Sequence, residues 1–254
     1  LIKKSESIIN NARPDSLTAI EKNTYQFMDS IGGKFGFDFW AELYPNISAG
    51  KIPVKFIDIE LEDFYRSNDY EGTRIGIGLN TNDKFSKVIS FGGFGGYGIK
   101  DKEFKYGGNV TFNLNEERET ELKFSYQNNL KEPGLDQREE FALLSISDYL
   151  RDYIASRMDN FIEERAEFNF RLFRYLKIAS SVSFREIMPT YEYLYKGSPL
   201  TDFLADEIKI SARYAFGEEI HMFGNQRLVI YAGNPVLSLT YKRGVDLFNR
   251  DSYN

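Results

Sequence analysis

From Gly72 onward, apolar and polar residues alternate with a period of two. In residues 72–80, Ile75, Ile77 and Leu79 fall on one face and Arg74 falls on the other. The pattern recurs in residues 108–114, 120–127, 167–172, 178–185, 208–216 and 237–242. This periodicity predicts β-strands with one apolar and one polar face. The polar faces carry full charges in mid-strand, at Arg74, Lys123, Glu167, Arg171, Arg185, Lys209, Arg213 and Lys242.

The length of these runs separates two all-β architectures. Strands of soluble proteins typically have about 5 to 6 residues, whereas a strand crossing a bilayer at a tilt needs about 9 to 11. The runs here match the longer class, and a membrane barrel places lipid against the apolar face and a wet, charged interior against the other. The sequence therefore predicts an antiparallel transmembrane β-barrel, and the charged residues are expected to face its lumen. A soluble sandwich would also alternate but usually has shorter strands.

Aromatic residues are frequent, with 17 Tyr and 22 Phe. Several tyrosines flank the alternating runs: Tyr97, Tyr106, Tyr175, Tyr191, Tyr193, Tyr195, Tyr231 and Tyr241. Aromatic side chains at strand ends suit the two interfaces of a membrane. The ordinary alternative is that Tyr and Phe favour any strand.

The glycine-rich stretch 91–105, FGGFGGYGIKDKEFK, invites a phosphate-binding interpretation. Such a loop needs a helix after its glycines, and here another strand pattern follows. Glycines inside a strand permit strong coiling or close approach of another segment. We therefore expect a curved strand over 88–99 with a turn at 100–102. Six glycines would form a wall poor in side chains against which a loop could pack: Gly76, Gly78, Gly92, Gly93, Gly95 and Gly96.

The flanking segments differ from the alternating region. Ser16 and Glu21 resemble a capping box before a helix that reaches about Ser30, and extended runs are expected at 35–43 and 52–61. Residues 1–51 would be a periplasmic helix and β linker, and 52–254 a barrel of about 8 to 9 strands, incomplete at its C-terminus. Residues 135–159 show near-helical spacing, so a helical insertion is expected there, either extracellular or periplasmic. The extracellular arrangement is favoured because long loops of such barrels lie outside the cell.

Composition excludes several functions. There is no Cys and only one His, so thiolate chemistry and a His-based zinc site are not expected. A net charge of −6 argues against a general nucleic-acid binder. We expect no metal, nucleotide or organic cofactor.

Three stretches carry a family resemblance: SNDYEGTRIGIGLNTNDKFSK at 67–87, FGGFGGYGIKDKEFKYGG at 91–108 and AGNPVLSLTYKRGV at 232–245. With RPDSLTAIEKNTYQFMDS at 13–30, they resemble the barrel region and periplasmic link of a Bacteroidota outer-membrane family. Its members carry a carboxypeptidase-regulatory-like domain in front, and their barrel is similar to the BamA-like surface-antigen superfamily. The resemblance implies that the front domain and the last strands are absent here. The VRGF-like loop motif of BamA-type insertases is not found.

Three functions follow as hypotheses. The first is a non-enzymatic outer-membrane barrel for envelope transport or outer-membrane assembly, within a larger complex that includes lipid and other outer-membrane or periplasmic proteins. The second is a barrel hydrolase that would depend on His221 beside Glu218 and Glu219. The third is a soluble β-rich interaction protein. The first is the prediction carried forward, with no catalytic residue.

Overall fold

The computed structural model describes residues 18, 20, 22–24, 47, 50–133, 157–223, 226–231 and 235–245. The chain divides into two compact units, Leu1–Ala49 and Gly50–Asn254. In the first unit, Ile20 and residues 22–24 are helical, and the Lys22 amide donates to the Thr18 carbonyl at 3.0 Å. The rest of the predicted N-terminal helix and the extended run at 35–43 lie outside the described residues. Of the helical insertion expected at 135–159, residues 135–156 lie outside them as well, whereas 157–158 are not helical and Asp159 begins a strand.

The second unit is built of antiparallel strands. Their bounds are β1 Lys51–Val54, β2 Ile57–Glu60, β3 Tyr65–Asn68, β4 Gly72–Thr81, β5 Ile89–Gly98, β6 Phe104–Asn115, β7 Thr120–Lys131, β8 Asp159–Phe173, β9 Leu176–Pro189, β10 Leu194–Tyr195, β11 Ser198–Pro199, β12 Phe203–Leu204, β13 Glu207–Ala215, β14 Glu219–Phe223, β15 Gln226–Tyr231 and β16 Val236–Gly244. A 3₁₀ turn, Leu61–Asp63, separates β2 from β3. The described part of the second unit is therefore all-β, as predicted.

Twelve strands form one sheet in the order β1-β2-β4-β5-β6-β7-β8-β9-β13-β16, with β3 beside β4 and β12 beside β9. β10–β11 and β14–β15 form two small separate hairpins. Within the described residues β1 and β16 do not pair with each other, so the sheet is open rather than closed. Its longest strands, β8 with 15 residues and β9 with 14, exceed the roughly 5 to 6 residues of an average strand.

The single extended run expected over 52–61 is wrong. Lys55 adopts a left-handed conformation with φ 55°, and the chain reverses there so that β1 pairs with β2. Beyond β2, the 3₁₀ turn and β3 continue in the same direction, and β2 and β3 pair with successive parts of β4. The neighbour of β4 is thus an interrupted strand rather than a continuous one.

The glycine-rich stretch is a strand, as predicted. β5 spans Ile89–Gly98 and pairs with β4 on one side and β6 on the other. Residues 99–103 turn directly into β6, and no helix follows the glycines. The structure thus contradicts the phosphate-loop alternative, which requires a helix N-terminus at this point.

The two faces of the sheet have an inverted distribution of polarity. Apolar side chains in mid-strand are exposed, with Ile77 46% and Ile210 49% accessible. Charged side chains on the other face are buried, with Arg74 5% and Lys209 4% accessible. In water-soluble proteins the usual arrangement is the opposite one. Among the residues described, no helix is long and apolar enough to cross a membrane.

Candidate functional site: the charged face

The charged face is the face of the sheet on which Arg74 lies. It is formed by alternate residues of β4 to β9, β13 and β16. Strand register places all eight charged residues singled out in the sequence on this face. Lys123 lies directly opposite Glu167, and Lys209 lies between Ser181 and Lys242. The register places residues from six different strands side by side, so the face is an extended charged surface rather than a single cluster.

The two ends of the sheet are named here by their tight turns. The Glu119 end carries the turn at residues 116–119 between β6 and β7, and the Glu103 end carries the turn at 99–103 between β5 and β6. Because neighbouring strands are antiparallel, successive connections alternate between these ends. The connections 132–158 and 190–206, which are longer than the turns, both belong to the Glu103 end.

An ion-pair network occupies the Glu119 end. Arg171 lies 2.9 Å from Glu119 and 3.6 Å from Glu218, while Arg213 lies 2.8 Å from Glu218. Lys177 completes the network at 3.1 Å from Glu119. Burial would raise the pKa of Glu119, but the charges of Lys177 and Arg171 outweigh it and hold that pKa below its ordinary value. The network joins the β6–β7 turn to β8, β9 and β13.

A second network lies toward the Glu103 end. Arg185 lies 3.2 Å from Glu207 and 3.8 Å from Glu163, and Arg165 lies 4.0 Å from Glu163. The Gln127 side-chain amide donates to the other oxygen of Glu163 at 2.8 Å. Glu163 is only 3% accessible, so it is a buried carboxylate held among cations from two strands.

Arg74 belongs to a third, separate network. Its guanidinium donates to the Asn129 side-chain oxygen Oδ1 at 2.7 Å and lies 3.7 Å from Glu71, which also accepts from the Asn68 side-chain amide at 2.7 Å. Burial raises the pKa of Glu71, against the opposing effects of Arg74 and Asn68. Arg74 reaches β7 by crossing β5 at Gly96, where an added Cβ would lie 3.0 Å from the arginine Cδ. A side chain at Gly96 would obstruct that path.

The β5–β6 turn holds a buried lysine. Lys105 is 1% accessible, and its ammonium donates to Asp101 at 2.8 Å and to Glu103 at 2.9 Å. Asn160 of β8 donates to Glu103 at 3.3 Å, which ties this turn to a strand two positions away in the sheet. A buried charge with two carboxylate partners is the arrangement that makes burial of a lysine tolerable.

Strand alternation divides the six glycines between the faces. Gly76, Gly78, Gly92 and Gly96 lie on the charged face, whereas Gly93 and Gly95 lie opposite Leu79 and Ile77 on the apolar face. The 3₁₀ turn packs over the first two: a Cβ on Gly76 would lie 2.9 Å from the Asp63 carbonyl oxygen, and one on Gly78 would lie 2.1 Å from the Asp63 carboxylate. The part of the expected glycine wall at Gly76 and Gly78 is thus covered by this turn.

Aromatic contacts lie toward both ends of the apolar face. Toward the Glu103 end, Tyr97 contacts Phe104 with ring centroids 4.8 Å apart, and Phe104 is 70% accessible. Toward the Glu119 end, Tyr175 lies 6.0 Å from Phe216, which is 56% accessible. Exposed aromatic side chains therefore border the exposed aliphatic residues on two sides. The side chain of Tyr231 lies outside the described part.

The described residues provide no catalytic arrangement of side chains that supports the hydrolase hypothesis. The His221 side chain lies outside the described part, and its backbone pairs with Leu228 in the β14–β15 hairpin. Glu218, the carboxylate named with it, is instead engaged by Arg171 and Arg213. Within the described ranges, no group of three or more His, Cys, Asp or Glu side chains could hold a metal ion.

Several charged residues of this face were missed by the sequence analysis. Arg165 and Glu163 extend the alternation of β8 two and four residues before Glu167, so period-two counting would have placed them on the charged face. Lys105 alternates in the same way on β6. Glu119 lies in a turn, where periodicity gives no signal, and Glu218, which the sequence analysis named only beside His221, also lies outside the strands.

The arrangement as a whole is a set of mutually compensating ion pairs. Comparison with known proteins found no matching family model, curated protein or solved structure. The case for a function therefore depends on the two faces and their chemistry.

Proposed function

We propose that the chain is part of a non-enzymatic bacterial outer-membrane β-barrel that takes part in envelope transport or outer-membrane assembly within a larger complex. The observation that carries this proposal is the inverted sheet: mid-strand Ile, Leu and Phe side chains are exposed, while Arg, Lys and Glu side chains are buried on the opposite face. Hydrocarbon outside and water inside would solvate both faces favourably.

Strand length and aromatic placement support the same environment. β4 to β9 have 10 to 15 residues, and β13 and β16 have 9, all sufficient for a tilted crossing of about 9 to 11 residues. On β6, Tyr106 and Phe112 are six residues apart, or roughly 20 Å along the strand. Aromatic rings at that spacing suit the two edges of an apolar band.

The proposal requires that both open edges be paired in the membrane. Unpaired backbone N–H and C=O groups of β16 or β1 would each cost several kcal/mol, about the cost of an unsatisfied polar group in hydrocarbon. Further strands or strands of a partner would supply the pairing. The resemblance to the Bacteroidota barrel family favours further strands of the same protein. A role within a complex would also allow a partner protein to supply the pairing strands.

The charged face fits a lumen wall better than a catalytic site. Arg165, Arg171, Arg185, Arg213, Lys105 and Lys177 of this face each lie within 4.0 Å of a carboxylate, which stiffens the wall and lowers its net field. Transport through such an interior would require that some of the charged side chains leave their ion pairs and contact the transported molecule instead. Assembly within a complex would instead use the apolar face or the sheet edges.

The experiment is membrane fractionation of cells that express the chain in its natural length. We expect it in the outer-membrane fraction, extracted by detergent and not by carbonate or high salt. A protein that stays in solution without detergent would contradict the proposal and favour the soluble interaction protein. In the same experiment, a variant with Ile77→Glu and Ile210→Glu should no longer insert into the membrane, because both charged side chains would face hydrocarbon.

A further inference from the structure

The interrupted partner of β4 contains more residues than the part of β4 that it faces. Glu60 of β2 lies opposite Gly78, and Tyr65 of β3 lies opposite Ile75. Between these two pairs, four residues of the partner, 61–64, face only two residues of β4. The excess of two is taken up by the 3₁₀ turn, which lies over the charged face. We call residues 61–64 the strap.

An excess of two residues can be absorbed without exchanging the faces of the strand. Side chains alternate with a period of two, so a slide of β2 by two residues along β4 returns every side chain to the face that it had. The slide would carry Ile59 from its place opposite Leu79 to a place opposite Thr81, toward the Glu119 end. Residues 61–64 would then be extended, and the partner of β4 would be a continuous strand.

The strap and the turn after β3 are held to different degrees. The Asn68 side chain accepts hydrogen bonds from the amides of Tyr70 at 3.0 Å and Glu71 at 2.9 Å, which fixes the turn between β3 and β4. The 3₁₀ turn of the strap contains no buried residue. Segments with few buried contacts open at lower free energy than a packed core. A slide would therefore move β2, together with β1, and leave β3 in place.

Two asparagines already contact the residues that they would face after the slide. Asn80 lies opposite Asp58, but its side-chain amide donates to Glu60. The side-chain amide of Asn82, in the turn that follows β4, donates to Asp58 at 2.9 Å. A slide of two residues would place Glu60 opposite Asn80 and Asp58 opposite Asn82. Both hydrogen bonds are therefore compatible with either register.

The Asp63 carboxylate opposes the continuous strand. In the slid register it would lie opposite Ile77 on the apolar face, where a charge next to hydrocarbon is unfavourable. The other residues of the partner on that face would be Ile57, Ile59, Leu61 and Tyr65. In the strap the same carboxylate lies over Gly78 on the charged face, 3.7 Å from the Arg66 guanidinium. One residue that breaks the alternation thus favours the strap.

We propose that the strap is one state of a two-state element, which a slide of the β1–β2 hairpin by two residues, about 7 Å, converts into a continuous strand. In the first state the strap occupies space beside the charged face. In the second state it is drawn into the sheet and uncovers Gly76 and Gly78. The slide would widen the barrel interior and so regulate passage through it. This role, and the effect of Asp63, rest on the proposed function.

Disulfide trapping in the full chain reports the register, because the chain has no Cys. Ile59→Cys with Leu79→Cys tests the strap register, and Ile59→Cys with Thr81→Cys tests the slid register. Cβ atoms of directly opposite residues are about 4.5 to 5.5 Å apart, whereas diagonal neighbours are about 7 to 8 Å apart. In lipid vesicles, the first disulfide should form about tenfold faster than the second, since a minor state is typically about 0.1 to 10% populated. Asp63→Val should reverse this preference.

Glu62→Gln is the matched control. It removes the shorter ion pair of Arg66, at 2.7 Å, but places no new residue on the apolar face of the slid strand. The preference should therefore stay that of the wild type. Tyr65→Cys with Ile75→Cys should form a disulfide in every background, because β3 does not move. An unchanged preference in Asp63→Val, or an equal shift in Glu62→Gln, would overturn the two-state strap.

A second variant covers a failure of Asp63→Val to fold, which the absence of the disulfide between positions 65 and 75 would reveal. Asp63→Asn removes the charge with little change of shape, so it should form the disulfide between positions 59 and 81 faster than the wild type does. A rate equal to that of the wild type would overturn the two-state strap.

The proposed function fails or stands on a different observation. Membrane fractionation tests the location of the chain and does not depend on the register of β2. A chain that inserts into membranes but keeps the wild-type preference in Asp63→Val would defeat the strap alone. A chain that is soluble without detergent would defeat the membrane proposal, and the same disulfides would still report the register of β2.

Discussion

The packing of the 3₁₀ turn against β4 and β5 predicts a large cost for a single methyl group. In Gly76→Ala, the new Cβ would lie 2.5 Å from the Gly95 carbonyl oxygen, 2.8 Å from the Gly96 Cα and 2.9 Å from the Asp63 carbonyl oxygen. All three are backbone atoms, so no side-chain rotation relieves the clash. Overpacking typically costs about 1 to 3 kcal/mol, and a clash with three backbone groups should reach about 3 kcal/mol or more.

The matched control is Gly95→Ala on the adjacent strand. An added Cβ at Gly95 meets nothing within 4 Å, and its φ is not in the left-handed region. The substitution should be neutral or stabilise by about 0.4 to 1 kcal/mol, because alanine restricts the unfolded chain. Chemical denaturation of both variants, in the medium that keeps the wild type folded, measures the difference. Equal stability of the two variants would refute the close packing of the Leu61–Asp63 turn on the charged face.

Two further predictions concern the apolar face and the Glu119 network. Ile210→Arg should lower the free energy of unfolding in lipid vesicles by about 2 to 4 kcal/mol. Tyr195→Arg should change it by about 0.5 kcal/mol or less, because Tyr195 is similarly exposed (54% against 49%) but lies on the small β10–β11 hairpin. Similar small effects for both in lipid would contradict a lipid-facing Ile210. Lys177 and Arg171 hold the pKa of Glu119 in the folded state below its unfolded value near 4.5. The ionised Glu119 therefore stabilises the fold above about pH 4.5, and this stabilisation is lost as the pH falls through the lower, folded-state pKa. Glu119→Gln should therefore flatten the acid limb of a stability–pH profile, and a profile identical to that of the wild type would show that the ion pairs do not form.

Strand positions and faces were largely readable from the sequence. Period-two alternation located parts of β4, β6 to β9, β13 and β16 because apolar residues dominate one face of each strand, although Glu164 of β8 and Glu186 of β9 also lie on that face. The glycine-rich β5 was also recovered, since the residues after its glycines alternate as a strand and contain no helix start. These features depend on local pattern alone.

The turn at Lys55 and the ion-pair networks were not readable. A left-handed lysine gives no Gly or Asn signal, so the reversal between β1 and β2 was missed. Which charges meet depends on cross-strand register and sheet curvature, as when Glu218 joins Arg171 to Arg213 from a turn. Register between strands is a tertiary property that alternation within one strand does not contain.

The central claim is that hydrocarbon solvates the apolar face and water the charged one. The chain has no Cys, so single cysteines at Ile77, Ile210 or Leu239 on the apolar face and at Ser211 on the charged face can be labelled with a nitroxide without background. In lipid vesicles, we expect oxygen to relax the apolar-face labels more than a water-soluble nickel chelate does, with the reverse order at Ser211. Preferential relaxation of the Ile77, Ile210 and Leu239 labels by the nickel chelate would contradict the account.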